Sequence, residues 1–329
     1  MPTLARLLVR LLVLLLVATP VAAGAQTLWD MPTEYPASAI PGEGVAMFSR
    51  LVSERSGGRL VIKPSFDAAL GIKSAGMVAA VESGKVQAGD AFAGALAGVD
   101  PVFALSSLPF LATSVDEARR LTDIARPAYE RVLAAHGQRL LYTTPWPASG
   151  IWSKAALASA ADLAGLSIRT YDATSTEVMK AAGANAVNLS FADAMPKLQD
   201  GSVNAVLSSG DGGAGRKLWD ILPHFTEVNY AVPLSLATVN AAAFEALPAD
   251  LREVVILAGA ETEARQWAVI RGRLDENYAR MRANGMMIRS DVPPDLAAAL
   301  SKAAAAPIET WRTKAGPDGA ALLDRYRRN

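Results

Sequence analysis

The stretch DLAGLSIRTYDATSTEVMKAAGANAVNLSFADAMPKLQDGSVNAVL, residues 162–207, decides the fold of this chain. It predicts three short strands at 166–170, 186–188 and 204–207, separated by helices at 174–182 and 190–200. Strands that alternate with helices of this length favour right-handed crossovers and a parallel sheet, and therefore an α/β fold. Ligands bind such sheets in the crevice outside the carboxyl ends of the strands, where this sequence has Arg169, Asn188 and Ser208.

Arg169 is the cation of this set. A planar guanidinium presents donors that match a carboxylate in two parallel hydrogen bonds, whereas a lysine acts as a point charge. An arginine at a strand end can also form an ordinary surface ion pair, and its position alone leaves that alternative open. The sequence therefore makes Arg169 the first candidate for carboxylate recognition.

The N-terminus predicts a signal peptide at residues 1–25. Arg6 and Arg10 are positively charged, residues 7–17 form an apolar run interrupted only by Arg10, and Ala23-Gly24-Ala25 fits a cleavage site. The run is shorter than the roughly 20 residues that span a bilayer. We therefore expect export to a periplasm.

Composition narrows the class of protein. The 329 residues contain no cysteine and carry a formal net charge of zero. A disulfide framework is therefore excluded, and no basic surface for nucleic acid is indicated. A chain of this length can bury a large core and commonly divides into two domains. We expect a monomer.

No pattern predicts catalysis. His136 and His224 lie far apart without metal-ligand spacing, and neither a G-x-S-x-G elbow nor a phosphate-binding loop occurs. We therefore expect no enzyme activity, no cofactor and no metal. The alternative is a periplasmic hydrolase acting through Asp67, Asp90 or Asp211, for which the sequence offers no paired acid and base.

Helix-capping residues and hydrophobic periodicity predict the strands and helices outside residues 162–207. The expected strands are 27–31, 59–66, 86–90, 104–108, 140–144, a pair around 230–240, and 287–289. The expected helices are 43–56, 72–83, one from Ser114 to 136, 215–222, 248–284, 293–306 and 308–327. Ser114 and Glu117 form a capping box. The helix at 248–284 would reach about 50 Å and brace both domains.

The glycine-rich segment 210–215, GDGGAG, matches a dinucleotide-binding fingerprint. It comes late in the chain, and no ribose-binding carboxylate follows about 20 residues on. We expect a flexible loop at the mouth of the cleft.

Several motifs together resemble the solute receptors of tripartite ATP-independent periplasmic (TRAP) transporters. They are ERSGGRL at 54–60, VESG at 81–84, LPFL at 108–111, DLAGLSIR at 162–169 and GANAV at 183–187. The resemblance implies a two-domain α/β binding protein with a long domain-spanning helix. It also implies that a small organic acid binds in the cleft, held by the arginine that matches Arg169, and is delivered to membrane permease subunits.

On this resemblance, residues 26–146 with about 233–272 form domain I, and 147–232 with about 273–329 form domain II, with a hinge at 146–150. The sequence does not separate transport from presentation of the ligand to a sensor kinase.

Two departures from the family bear on the ligand. Many relatives have a second arginine near the position of Ser149, and a polar segment where this chain has NAVLS at 204–208. A second ligand carboxylate would therefore lack a partner, and an unpaired buried charge costs several kcal/mol. An organic monocarboxylate, such as an aromatic or branched 2-oxo or 2-hydroxy acid, is expected; a C4-dicarboxylate or sugar acid is the alternative.

Further ligand-binding candidates lie at strand ends or crossing segments. They are Trp146, Tyr171, Phe92, Asp90, Tyr35 and Ser149, beside Arg169, Asn188 and Ser208. Aromatic residues at these places more often belong to a core than to a cleft. Their number at the sheet edges nevertheless predicts that some of them cover an apolar part of the ligand.

Overall fold

The computed structural model describes residues 26–328, so the predicted signal peptide at 1–25 lies outside the described residues. The strands are β1 (Thr27–Pro32), β2 (Leu60–Ser65), β3 (Ala88–Phe92), β4 (Gln138–Pro145), β5 (Ser149–Ser153), β6 (Ser167–Thr170), β7 (Asn185–Asn188), β8 (Ala205–Ser209), β9 (His224–Thr226), β10 (Leu234–Asn240) and β11 (Met287–Arg289). The α-helices are α1 (Ile40–Arg55), α2 (Ser74–Glu82), α3 (Val115–Ala135), α4 (Ala173–Ala181), α5 (Phe191–Gln199), α6 (Gly210–Ala214), α7 (Ala241–Glu245), α8 (Ala249–Ala283), α9 (Pro294–Lys314) and α10 (Gly316–Arg328).

The central stretch folds as its alternating pattern predicts. β6 runs parallel to both β7 and β8, with α4 and α5 as the crossovers. Asp172 caps α4 by accepting the Ser175 N–H, and Ser190 caps α5 by accepting the Asp193 N–H. These caps satisfy N–H groups that a helix end leaves free. The predicted parallel sheet is confirmed here.

The complete sheet is larger than predicted. Its strand order is β11-β9-β5-β8-β6-β7, and β5 pairs antiparallel with β8 and β9. β5 and β9 were not expected, because both pair antiparallel in this sheet and lie outside the strand-helix alternation that predicted β6, β7 and β8. We call the part of the molecule built on this sheet the second lobe.

The other lobe combines two small sheets. β10 lies between β3 and β4 and is antiparallel to both, and β1 pairs parallel with β2. β10 comes from the second half of the chain and returns to strands of the first half. We call this part the first lobe. The two lobes confirm a two-domain α/β fold; the exact domain boundaries stay predictions.

The long helix α8 has 35 residues, close to the predicted 248–284. At 1.5 Å per residue it reaches about 50 Å. It packs against α1 and β4 of the first lobe and against α6 of the second, so it braces both lobes. No helix within residues 26–328 is long and apolar enough to cross a membrane.

The predicted strand at 104–108 is wrong. A 3-10 helix, Pro101–Ser107, occupies this segment. Asp100 starts it by accepting the Val102 N–H, and Pro101 supplies a backbone angle suited to a first helical position. The apolar side chains after Pro101 are buried all round, which is why the segment resembled a buried strand.

The expected loop at 210–215 and the helix at 215–222 are also wrong. Residues Gly210–Ala214 form α6, which is buried, and only a short 3-10 helix, Leu218–Asp220, follows. A Cβ at Gly213 would lie 2.1 Å from the Trp152 ring, so glycine permits this close packing. The glycines serve a buried contact and not a mobile loop.

At the C-terminus, the helix break lies later than predicted. Pro307 lies inside α9, and the break comes at Gly316, whose φ of +65° favours glycine. The capping box of Ser114 and Glu117 on α3 is confirmed.

Candidate functional site

Arg169 is a buried cation on the middle strand of the parallel segment. Its side chain lies on β6 and the residue is 3% exposed. Nε donates to the Leu189 carbonyl oxygen at 2.8 Å, and the guanidinium lies 4.3 Å from the centre of the Phe191 ring. These two contacts fix the plane of the guanidinium, and its two terminal nitrogens donate no hydrogen bond to any described residue.

The charge of Arg169 has no carboxylate partner within residues 26–328. Burial lowers the pKa of its guanidinium, while Tyr35 and Glu34 act through space in the opposite direction. An arginine nevertheless stays protonated in proteins, and a buried unpaired charge is costly. An anion beside Arg169 would supply a charge partner that the described residues do not.

Arg169 lines a small space between the lobes, which we call the inner cavity. Its walls consist of aromatic rings, three serines and a proline: Tyr35, Phe92, Trp146, Tyr171, Phe191, Ser149, Ser208, Ser209 and Pro233. Among the described residues, Arg169 is the one charged side chain in this lining. Predominantly apolar walls with few polar groups are typical of small-molecule sites.

The aromatic walls support one another. Tyr35 and Trp146 meet edge to face with centroids 4.6 Å apart, and Phe92 and Tyr171 do the same at 5.1 Å. Trp146 Nε1 donates to Ser235 Oγ at 3.1 Å, so its polar atom is satisfied by the protein. The ring faces therefore form a fixed apolar surface.

The polar wall of the inner cavity is uncharged. Ser149 and Ser209 lie opposite each other on β5 and β8, and Ser208 follows Leu207 on β8. The Tyr171 hydroxyl is buried and has no hydrogen-bond partner among residues 26–328. Burial, and next the charge of Asp172, raise the pKa of Tyr171 well above its ordinary value. The phenol therefore stays protonated and can donate a hydrogen bond into the cavity.

A second pocket, which we call the outer pocket, adjoins the inner cavity through Arg169, Tyr35, Phe92 and Tyr171. Unlike the rest of the inner cavity's lining, its walls carry several charged side chains. Its further lining residues are Glu34, Lys73, Ser74, Ala75, Ala95, Asn188, Ser190 and Asp193. Asn188 thus lies in the outer pocket and does not line the inner cavity.

Contacts between the lobes surround these two spaces. Lys73 forms an exposed ion pair with Asp193 at 2.7 Å. Deeper in the cleft, Ser107 donates to the buried Asp172 carboxylate at 2.7 Å. A Cβ at Gly94 would lie 2.7 Å from that carboxylate and 2.8 Å from Ser107 Oγ. The lobes are therefore closed on each other, and Gly94 provides room for the contact.

Asp90 lies apart from both spaces. It is fully buried on β3, where Oδ1 accepts a hydrogen bond from Thr33 at 2.8 Å and Oδ2 has no partner among the described residues. Burial raises the pKa of Asp90 to about 7, and the Thr33 hydrogen bond opposes this shift. The structure therefore puts Asp90 in the core of the first lobe and not with the other predicted site residues.

Each carboxylate considered for a hydrolase contacts a different partner. Asp67 pairs with Arg216 at 3.5 Å, Asp90 accepts from Thr33, and Asp211 binds Arg273. Within the described part of the chain, no group of three or more histidine or acidic side chains could hold a metal ion. Asp67, Asp90 and Asp211 therefore do not form a paired acid and base with one another.

Sequence reasoning missed several residues of the site. Phe191, Ser209 and Pro233 line the inner cavity, and Glu34 and Lys73 line the outer pocket. Ser209 could have been found as the residue after Ser208 at the same strand end. Phe191 resembles an ordinary helix-start residue, and nothing local distinguishes it from a core aromatic.

Comparison with known proteins shows that the chain matches a bacterial protein family. Residues 32–312 match the family model described as "Bacterial extracellular solute-binding protein, family 7". An extracytoplasmic solute receptor of Bordetella pertussis that binds pyroglutamic acid is 32% identical, with a TM-score of 0.87 over 92% of this chain and 99% of the receptor.

Two other proteins are similar. A TRAP solute-binding protein from a marine metagenome, specific for pyroglutamate, is 30% identical, with a TM-score of 0.86 over 93% of this chain and 100% of that protein. The 2,3-diketo-L-gulonate-binding periplasmic protein of Escherichia coli is 24% identical over 282 residues, which cover 84% of each chain. The similarity therefore extends over both lobes.

Proposed function

Because the chain belongs to the bacterial extracellular solute-binding proteins of family 7, we propose that it captures a small organic monocarboxylate and delivers it to a TRAP membrane permease. The observation that carries the proposal is Arg169, a cation that is 3% exposed, lines the inner cavity and has no carboxylate partner among residues 26–328. The two free terminal nitrogens of its guanidinium match the two oxygens of a carboxylate.

The lining of the inner cavity supports one carboxylate and not two. Arg169 is its one charged side chain among the described residues, and Ser149 contributes a neutral hydroxyl. A second carboxylate would be buried without a cation, which costs several kcal/mol. Succinate and other C4-dicarboxylates, and the larger sugar acids, are therefore weaker candidates.

The remaining groups indicate the rest of the ligand. The Tyr171 hydroxyl and the serines of β5 and β8 can bind one neutral polar group, such as an amide, oxo or hydroxyl group. The rings of Tyr35, Phe92 and Trp146 can cover a compact apolar body. Pyroglutamate, which similar receptors of 30–32% identity bind, has these features. The branched or aromatic 2-oxo and 2-hydroxy acids, such as mandelate, share the carboxylate and the neutral polar group.

Export and delivery complete the proposal. A receptor of this kind acts in the periplasm, and the signal peptide predicted at 1–25 would direct it there. The ligand would stabilise the closed arrangement of the two lobes by contacting both, with the crossing segment at 146–150 as a hinge. The permease would receive the ligand from this closed monomer.

Isothermal titration calorimetry on the mature chain tests the proposal. The panel is pyroglutamate, mandelate, benzoylformate, succinate and glucuronate, each titrated into the unchanged protein and into Arg169→Ala. Arg50→Ala is the matched control, because Arg50 is exposed and pairs only with Glu54. We expect a monocarboxylate to bind, Arg169→Ala to abolish binding, and Arg50→Ala to bind normally. Tighter binding of succinate or glucuronate, or binding that survives Arg169→Ala, would contradict the proposal.

A further inference from the structure

Glu34 is a buried carboxylate that contacts both lobes. It is 4% exposed. Oε2 accepts the Ser74 N–H at 2.9 Å, and Oε1 accepts the Phe191 N–H at 3.0 Å. Ser74 is the first residue of α2 in the first lobe, and Phe191 is the first residue of α5 in the second. The two oxygens of one side chain therefore join helix N-termini from opposite sides of the cleft.

The contact of Glu34 continues into the carboxylate site. The Phe191 ring lies on the Arg169 guanidinium, and Arg169 Nε donates to Leu189, two residues earlier. The short segment 189–191 thus touches Arg169 on one side and Glu34 on the other. Arg216 of the second lobe strengthens this arrangement, since it donates to the Glu34 carbonyl oxygen at 2.9 Å and lies 4.9 Å from the same Phe191 ring.

The two hydrogen bonds of Glu34 respond differently to opening of the cleft. Glu34 and Ser74 belong to the same lobe, so their contact can persist when the lobes separate. The contact with Phe191 crosses the cleft and must break. A carboxylate that accepts an N–H at a helix N-terminus makes a charge-assisted bond, and burial strengthens it. Glu34 therefore favours the closed arrangement over the open one.

On the basis of the proposed function, we propose that Glu34 is a positioning residue that holds the Arg169 side of the cleft closed over the bound acid. Both of its oxygens are occupied by backbone N–H groups, and its negative charge would repel a ligand carboxylate. Glu34 acts through segment 189–191: it keeps that segment against the first lobe and slows the release of the ligand. It is a determinant of residence time and not of carboxylate recognition.

Glu34→Gln is the informative variant. The glutamine oxygen can still accept the Ser74 N–H within the first lobe, so the ligand-free fold keeps that contact. In the closed arrangement the glutamine NH₂ faces the Phe191 N–H, and two donors cannot bond to each other. Glu82→Gln is the matched control, because Glu82 ends the same helix α2 and is exposed.

Stopped-flow and calorimetric measurements use the acid found to bind the unchanged protein. We expect Glu34→Gln to weaken binding on the order of tenfold through faster dissociation, with a nearly unchanged association rate and ligand-free melting temperature. Glu82→Gln should behave like the unchanged protein. An unaltered dissociation rate in Glu34→Gln would overturn the inference. A loss of ligand-free stability as large as the loss of binding free energy would also overturn it.

A distance measurement distinguishes an effect of Glu34 on closure of the lobes from an effect on the stability of the fold. The chain has no cysteine, so spin labels at Lys85→Cys and Lys180→Cys, both exposed and in different lobes, report one distance. Saturating acid should shorten it in the unchanged protein and less completely in Glu34→Gln. Identical ligand-induced shortening in both would contradict the role of Glu34. If the unchanged protein binds no acid at all, the proposed function fails instead, so the two failures are distinguishable.

Discussion

Arg169 and Arg273 are both largely buried arginines, yet their surroundings are opposite. Arg273, on α8, donates to the Asp211 and Glu43 carboxylates and to the Ser38 carbonyl oxygen. Burial alone would lower the pKa of Arg273, but Asp211 and Glu43 together raise it. The pKa of Arg169 is lowered. The protein itself supplies the counter-charges of Arg273, whereas Arg169 has no carboxylate partner among residues 26–328; in the proposed function the ligand would supply one.

The difference shows what each charge does. Asp211 is 1% exposed and also accepts hydrogen bonds from the Ile40 N–H and the Asn277 side chain. Arg273 and Asp211 therefore tie the long helix, α1 and α6 together, which holds the two lobes at their common brace. A satisfied buried charge stabilises the fold, whereas an unsatisfied one at a cavity indicates a ligand.

Replacing each arginine with methionine tests whether Arg273 and Arg169 differ in this way. Arg273→Met leaves Asp211 buried without its cation, so we expect the free energy of unfolding to fall by about 3–5 kcal/mol. Urea denaturation of the ligand-free protein measures this. Adding Asp211→Asn should recover part of the loss, since the uncompensated charge is removed. A loss below 1 kcal/mol would mean that Arg273 is not a structural charge.

Arg169→Met should have the reverse effects. Methionine keeps an apolar contact with the Phe191 ring, so ligand-free stability should change by less than about 1 kcal/mol. Binding of the acid should weaken on the order of a hundredfold, because the ligand carboxylate loses its charged partner. Calorimetry and urea denaturation of the same preparation test both halves. A large loss of ligand-free stability would place Arg169 in the same class as Arg273.

Asp90 lies between these extremes, because its one side-chain partner is the Thr33 hydroxyl. Its folded pKa is raised to about 7, whereas an unfolded aspartate ionises near 3.9. The folded state therefore binds the extra proton between these values, and this group makes stability fall as pH rises from about 4 to about 7. Asp90→Asn should remove that slope, which amounts to about 4 kcal/mol at most.

The measurement compares urea denaturation of the unchanged protein and Asp90→Asn at several pH values, and only the difference between them is interpreted. Equal pH dependence in the two would mean that Asp90 is ionised throughout or well hydrated. A variant that is more stable at pH 8 relative to the unchanged protein than at pH 4 agrees with the assignment.

The smallest effect is expected at the exposed pair across the mouth of the cleft. Lys73 and Asp193 have side chains that are 40% and 48% exposed, and such pairs contribute about 0.2–1 kcal/mol. Lys73→Met should therefore change the dissociation constant by less than about fivefold, and raising the salt concentration should reduce the difference further. Titration at two ionic strengths checks this. A tenfold change would show that the surface pair, and not Glu34, controls closure.

The sequence predicts best those strands and helices whose positions depend on neighbouring residues in the chain. The elements from β6 to β8 lie within one or two residues of their predicted positions, because alternation, strand ends and the caps Asp172 and Ser190 are all local. The helix α6 was missed because its glycine-rich sequence favours a loop. Burial of Asp211 with Arg273 and contact of Gly213 with Trp152 decide its structure, and these partners lie far away in sequence.

The candidate site shows the same division. Arg169, Ser208 and Tyr171 could be predicted because the ends of parallel strands meet at one edge of a sheet. Glu34 could not, since its contact with Phe191 joins residues 157 positions apart. Asp90 also lies near the end of a strand. That strand, β3, belongs to the first lobe and directs the Asp90 side chain into the core. Position in a strand identifies candidates, and only the packing of the lobes decides among them.

The narrow space at Gly94 limits how this sequence can evolve. One added methyl group there would meet the Phe92 ring at 2.6 Å as well as the Asp172 and Ser107 oxygens. Because those two oxygens come from different lobes, the lobes would have to move apart to admit it. Alanine at this position is therefore incompatible with the closed arrangement of the two lobes, although glycine here has a negative φ and its backbone conformation alone would admit alanine.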